Sequence, residues 1–458
     1  MFRMPVLAAA ALAFASAPTA AQSIPQSELD ERYDRALAAG YKALFMCGAI
    51  ANAERNGTSR TAESVEEWEL AGIQEPLASL IGDMPARIAR GNDEDIDYVA
   101  VEWADDMPPR VAVQRPARGC AILPTGSPVP VEDVDLFERL RRDADYFDLE
   151  GENFLRDPLA DVGFDAKYGA DARTTAVVIV NDGELLSEAY ASGFGPRVPQ
   201  RTWSVAKSIA ATIVGAAVQR GEARVEQSAG LGVSDVDPRR AITVDQALRM
   251  ASGRYSDTPG NRTDPLYYGG TTVRERAANW PLLHRPRTVW RYANNDTLAA
   301  ITGISDTFDS KPPGRVLREM GMNHTMPETD WAGDYVLSSQ VWATARDLAR
   351  LGQLHLNNGQ LPDGTQVLPE EWTAYVSSPT GPQPDETQWG YGAGWWTMGA
   401  FEGIPADAFA ARGNRGQYIV VVPSEDLVIV RRGEDPAGGS GFDIVQLTRD
   451  VIFELNDL

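Results

Sequence analysis

Lysine is the scarce residue of this 458-residue chain. Of 42 basic residues only four are lysines, Lys42, Lys167, Lys207 and Lys311; the rest are arginines. Histidine is scarcer still: His284, His324 and His355 are scattered and form no His-Glu-x-x-His pair. Cysteine stops at Cys47 and Cys120. Zinc-ligand spacing is therefore missing, which argues against a metal site. Also missing are a Gly-x-Ser-x-Gly nucleophile elbow, a dinucleotide fingerprint and a P-loop. Positive charge is outweighed, and a formal net charge of -23 argues against nucleic acid, whose phosphates would repel the chain. Beyond the first residues, no segment is read as reaching the ~20 apolar residues of a membrane span.

What is present fits a folded, soluble protein, with 43% hydrophobic and 23% charged residues. The length predicts two or three units. Arg3, the apolar run Val6 to Ala15 and Thr19-Ala20-Ala21 before Gln22 read as a signal peptide over 1–21, with an uncleaved anchor as the alternative. The mature chain is then exported, periplasmic or secreted. In such an oxidising compartment Cys47 and Cys120 are expected to be joined, which would stabilise the fold by roughly 4 kcal/mol. Two separate buried thiols are the alternative.

Residues 22–134 form a first block. A helical pattern runs from Glu28 to Ala39, and Val99 to Trp103 and Arg110 to Val113 read as strands around a turn. Both cysteines lie here, so the block is expected to be a small stapled module. Pro124 to Pro130 reads as a linker. The second block, 135–458, opens with a hairpin: Thr174 to Val180, Asn181-Asp182-Gly183, then Glu184 to Tyr190. A second hairpin pairs Gln417 to Val422 with Leu427 to Arg431, and Phe442 to Leu455 reads as a closing amphipathic helix. Strands at both ends with helices between them predict an α+β fold whose sheet is built from distant parts of the chain.

One of the four lysines follows a serine by three residues, in Ser204-Val205-Ala206-Lys207. The segment Trp203 to Gln219 is apolar on most faces and stops at Gly221, the pattern of a buried helix. Ser204 falls in its first turn, where free N–H groups point outward, and Lys207 shares its face. Arginine cannot give up its proton, whereas a desolvated lysine amine can, so a site needing an amine base must use lysine. The pair reads as nucleophile and base. A capping serine beside a snorkelling lysine is the ordinary alternative. Tyr292-Ala293-Asn294 offers a phenol to relay a proton and an amide to position groups, or else a loop tyrosine with turn-forming asparagines. Arg412-Gly413-Asn414-Arg415-Gly416 precedes a strand and could supply an oxyanion N–H to pair with that of Ser204, or be a plain β-turn. Trp280, Trp389, Tyr391, Trp395 and Trp396 fit either a substrate pocket or core packing.

Ser-x-x-Lys, then Tyr-x-Asn, then a glycine-containing strand near the C-terminus resembles the serine β-lactamase and penicillin-recognising enzymes, in particular the branch of class C β-lactamases, family VIII carboxylesterases and 6-aminohexanoate-dimer hydrolases. Ile242 to Gly253 and Thr344 to Gly352 resemble that group's flanking text. The resemblance covers residues 135–458. It implies a β-lactamase/transpeptidase-like antiparallel sheet flanked by helices, with a mainly helical subdomain and, here, an added N-terminal module. It implies Ser204, Lys207 and Tyr292 as catalytic residues, and Ser204, Asn294, Gly413, Asn414 and Arg415 around the oxyanion and substrate. No metal or organic cofactor is implied. The Lys-Thr-Gly triplet of class C enzymes is missing, which points to a small-molecule amide or ester rather than a β-lactam or D-Ala-D-Ala substrate; Arg412 or Arg415 could receive a carboxylate. The alternatives are a β-lactamase or DD-peptidase and, from another class, a non-catalytic periplasmic binding protein. Residues 22–134 are left three roles: covering the site, forming a homodimer, or stabilising the fold.

Overall fold

A computed structural model describes residues 23–91, 94–129, 158–255, 263–385, 387–439 and 441–456. The signal segment 1–21, the end of the linker and the boundary at 134/135 lie outside these residues.

The two sequence-read hairpins lie side by side. Thr174–Asn181 pairs antiparallel with Glu184–Tyr190 on one edge and with Leu427–Gly433 on the other, and Gln417–Val422 and Phe409–Gly413 follow. The short strands Trp396–Thr397 and Gly390–Tyr391 complete a sheet of seven described strands. Antiparallel strands usually alternate apolar and polar residues because one face meets water. Here Val177 to Val180, Ile419 to Val422 and Leu427 to Val430 are apolar runs because both faces are covered. One face, with Val178, Ala411, Ile419 and Val428, packs on the helices Val205–Gln219 and Ala345–Leu356. The other, with Ile179, Ala410, Val420 and Ile429, packs under the closing helix Ile444–Asn456. Between the hairpins lie short helices such as Val244–Leu248, Asp264–Tyr267 and Asn294–Thr302. A small sheet of Gln200–Arg201, Val341–Ala343 and Met326–Pro327 brings residues 202–204 next to 338–341.

The first block is a helix, Gln26–Arg55, on a four-stranded antiparallel sheet. The strands Ile96–Val101 and Arg110–Arg115 correspond to the two expected from sequence. Cys47 and Cys120 are disulfide-bonded, tying the helix to the strand Gly119–Ile122. The helix extends well past Ala39, through two glycines that mark close approaches. A Cβ on Gly40 would lie 2.1 Å from the Tyr268 carbonyl oxygen, and one on Gly48 would lie 2.5 Å from the Trp342 ring. The block therefore shares one hydrophobic core with Trp203, Tyr267, Tyr268 and Trp342 of the second block. This helix also corrects one expectation. By length and composition it could cross a membrane, yet its apolar window is 94% buried in the fold. From Ala36 to Ile50 its alanines and leucines are core, covered by the module's sheet and the second block.

Candidate active site

Ser204 stands at the start of the helix Val205–Gln219, directly after Trp203, whose φ of +49° is left-handed. That conformation is costly for a bulky residue and persists only where the surroundings impose it. Here the Trp203 ring is held by the Arg201 guanidinium, 4.4 Å from its centroid, and by Phe45 of the N-terminal helix, 5.6 Å away. The Ser204 side chain makes no capping hydrogen bond. Lys207 does not snorkel: it is 1% exposed. Both features set aside the ordinary alternative of a capping serine and a solvated lysine.

The Lys207 amine is fixed by three oxygens. Nζ lies 2.8 Å from Ser204 Oγ, 2.6 Å from Asn294 Oδ1 and 2.9 Å from the Ser338 carbonyl oxygen. The last two can only accept. A neutral amine would give its two N–H groups to them and turn its lone pair to the Ser204 hydroxyl. Asn294 is held in turn by donating Nδ2–H to Thr263 Oγ1 at 2.9 Å. Below it, Asp296 takes Ser252 Oγ at 2.7 Å and the buried Arg254 guanidinium at 2.9 Å. The stretch Ile242 to Gly253 thus braces the Tyr-x-Asn segment.

The Tyr292 phenol interacts with Ser204. Its ring is 4.9 Å from Lys207 Nζ. Burial among Trp290, Tyr391 and Trp396 pushes the phenol up to about 12, against the pull of Ser204 and of the Arg412 charge. The phenol therefore keeps its proton at neutral pH, as a proton donor must.

The strand Phe409–Gly413 ends against the nucleophile. A Cβ on Gly413 would stand 2.5 Å from the Thr202 carbonyl oxygen and 3.2 Å from the Ser204 nitrogen, so only glycine lets the two backbones approach this closely. The exposed Asn414 follows in the turn. Ser204, Lys207, Tyr292, Asn294 and Gly413 thus converge, with Asn414 beside them. Arg415 does not join them. Its φ is +57°, and its 4%-exposed side chain turns back into the protein. There it donates to the carbonyls of Trp68, Glu69 and Ala71 in the first block and to those of Glu434 and Asp435. It also pairs with the Glu434 carboxylate at 3.1 Å. Arg415 is corrected from a substrate contact to an internal clamp.

The aromatic residues divide. Trp395 is core, edge-on to the buried His355, whose imidazole is depressed by burial to about 3 and stays neutral. Trp280 packs on Tyr255, away from the centre. Tyr391 and Trp396 surround Tyr292, and Trp389 packs on Arg412. Sequence reading missed Ser338, Thr263 and the strained Trp203. Ser338 acts through its carbonyl, and a backbone role leaves no trace in residue type. Among the described residues, no group of three or more His, Cys, Asp or Glu side chains is arranged to hold a metal ion.

Comparison with known proteins adds to this geometry. A model of the Beta-lactamase family matches residues 164–431. Penicillin-binding protein 4 of Amycolatopsis lactamdurans is 27% identical over 330 residues, spanning 61% of this chain and 85% of that protein. The 6-aminohexanoate-dimer hydrolase of Paenarthrobacter ureafaciens is 24% identical over 301 residues, spanning 57% and 73%. A solved structure from Bacillus anthracis, provisionally named a 6-aminohexanoate-dimer hydrolase, superposes with a TM-score of 0.52 at 24% identity, over 62% of this chain and 79% of that one. At that identity the likeness is one of fold.

Proposed function

This chain belongs to the Beta-lactamase family, and from that premise we infer that it is an exported serine hydrolase, cleaving an amide or ester bond through an acyl-enzyme on Ser204. The observation that carries the reading is the buried Lys207 amine, 2.8 Å from Ser204 Oγ and anchored by two oxygens that can only accept. In its neutral form this amine is a base beside the hydroxyl. Lys207 takes the Ser204 proton as Oγ bonds to the substrate carbonyl carbon. The carbonyl oxygen, now negative, is met by the N–H of Ser204 and by one from the Gly413–Asn414 turn, each worth about 3 kcal/mol in sites of this kind. As the tetrahedral species collapses, the bond to the leaving amine or alcohol breaks. Tyr292 gives that group its proton and is reprotonated from Lys207. Water, deprotonated by the same groups, then attacks the acyl carbon; the bond from that carbon to Ser204 Oγ breaks, Oγ takes the proton back and the acid leaves.

The test is mass spectrometry of intact protein after exposure to a fluorophosphonate probe, with mapping of the labelled peptide. A single adduct on Ser204 is expected. Ser204→Ala should lose it, together with all turnover of amide and ester substrates. Lys207→Arg should lower turnover by about 10³-fold, since Arg cannot act as the base. An unlabelled but folded wild-type protein would overturn the reading in favour of a non-catalytic binding protein. A second reading, acylation by a β-lactam or a D-Ala-D-Ala peptide, is supported by the likeness to the Amycolatopsis protein and opposed by the missing Lys-Thr-Gly. Nitrocefin turnover separates the two.

A further inference from the structure

The two acceptors that anchor Lys207, Asn294 Oδ1 and the Ser338 carbonyl, come from distant segments, yet one short stretch of chain holds both. That stretch is the helical turn Asp264–Tyr267, with Thr263 at its N-terminal end. The Tyr267 N–H donates to the Thr263 carbonyl at 2.9 Å, so the side chains of Thr263 and Tyr267 leave on one face. Thr263 Oγ1 accepts Asn294 Nδ2–H at 2.9 Å. The Tyr267 hydroxyl lies 2.8 Å from Ser338 Oγ, and the Tyr267 carbonyl accepts Gln340 Nε2–H at 3.1 Å. Arg201, whose guanidinium is 5.5 Å from the Tyr267 ring centroid, donates to Ser339 Oγ at 2.9 Å. Residues 338–340 are thus gripped side chain by side chain around the carbonyl that meets Lys207. None of Thr263, Tyr267, Ser338 and Gln340 is more than 5% exposed, so solvent does not stand in for a partner that is removed.

The turn is itself seated on the first block. Arg110 donates to the Tyr268 carbonyl at 3.0 Å, the same oxygen that Gly40 lets approach, and Tyr41 packs on Tyr268 with ring centroids 4.7 Å apart.

We propose that this turn aims the Lys207 lone pair at Ser204, with Thr263 and Tyr267 as positioning residues for the base. A neutral amine has two N–H groups and one lone pair, and the lone pair meets the serine hydroxyl only while both N–H groups have acceptors elsewhere. The Ser338 carbonyl can only accept, provided it stays in place, and Tyr267 keeps it there. The Asn294 amide can turn over. It would then present N–H to the lysine and compete with the serine hydroxyl for the lone pair. Thr263, by accepting from Nδ2, keeps Oδ1 on the amine, and that donation also polarises the amide and strengthens Oδ1 as an acceptor. The consequence for catalysis rests on the hydrolase reading; the hold on the amine does not.

The test exploits the scarcity of lysine. Full-length protein labelled with lysine carrying 13C at Cε has four lysines to report, and Lys207→Arg identifies the signal of Lys207. Tyr292 faces the amine, its ring 4.9 Å from Nζ, but its phenol is pushed up to about 12 by burial and keeps its proton while the lysine titrates. Weaker or misdirected acceptors stabilise the ammonium less, so Thr263→Val and Tyr267→Phe should each lower the Lys207 titration midpoint by about 0.5 pH unit. Both substitutions keep the shape of the side chain, and thermal unfolding checks that the variants are folded. With 4-nitrophenyl butyrate as substrate, each should lower kcat by about 10-fold with KM within about twofold of wild type. Thr263→Ser, which keeps the hydroxyl, should restore both midpoint and kcat. An unmoved midpoint in either variant removes that residue from the proposal, and in both overturns it, even where kcat falls. Midpoints that shift in a protein whose Ser204 takes no fluorophosphonate keep the hold on the amine and remove the hydrolase.

Discussion

Residues 23–129 and the family-matched region differ in what they contain and agree in what they hold. The first has a helix, a small sheet and a disulfide, and none of the residues that converge on Ser204. The second carries the serine, the lysine, the phenol and the glycine strand. Yet the first touches both sides of the proposed oxyanion position. Through Phe45 it packs on Trp203, the strained residue that sets the Ser204 nitrogen. Through the carbonyls of Trp68, Glu69 and Ala71 it anchors Arg415, in the turn that begins at Gly413. A region without reactive groups can still fix the two backbone segments proposed to stabilise the oxyanion, because such donors act only when pre-positioned.

Three variants test how far that division of labour goes. Arg415→Ala is expected to have the largest effect on activity. It frees the turn from the first block and leaves Glu434 buried without its partner, at a cost of about 3 kcal/mol in stability. It should also lower kcat by about 10²-fold with little change in KM, and slow fluorophosphonate labelling at a temperature where the protein is folded. A loss of stability with kcat unchanged would reduce the clamp to simple support. Replacing Cys47 and Cys120 together by alanine opens a link between residues 73 apart in sequence. Denaturant unfolding should then show a loss of about 4 kcal/mol, with kcat nearly unchanged below the new midpoint. A fall in kcat to match would show that the first block reaches the site through its own stability.

The smallest effect is expected at Glu328, which joins the two regions by accepting the Cys120 N–H at 2.9 Å. Burial raises its carboxyl from the usual range to about 7. The folded protein therefore binds this proton more tightly than the unfolded chain does. Stability is lost as pH rises from the ordinary glutamate value to about 7, and the cost is complete above that. Glu328→Gln should remove the cost, raising Tm on the order of 3 °C at pH 8 and leaving it unchanged at pH 4. A shift independent of pH would contradict this account.

The legible parts of the fold were those written in short stretches. The Asn181-Asp182-Gly183 hairpin, the hairpin from Gln417 and the closing helix follow from local turn chemistry and periodicity, and the structure has them within a few residues. The N-terminal helix was read too short because its middle is uniformly apolar. A 3.6-residue period appears only where one side meets water, and Ala36 to Ile50 is buried all round.

The site divides in the same way. Sequence alone set Ser204 and Lys207 on one helical face, because residues three apart in a helix are neighbours whatever surrounds them. It also set the scarcity of lysine that makes Lys207 conspicuous. Tertiary structure decided which of two arginines, three residues apart, stacks on an indole and which becomes a clamp. Arg412 lies on a strand, where alternation fixes its face. Arg415 follows in a turn at positive φ, and its partners Trp68 and Glu69 lie 347 and 346 residues away. A side chain's direction out of a turn depends on what waits across the fold, and that is known only once the distant segment has packed.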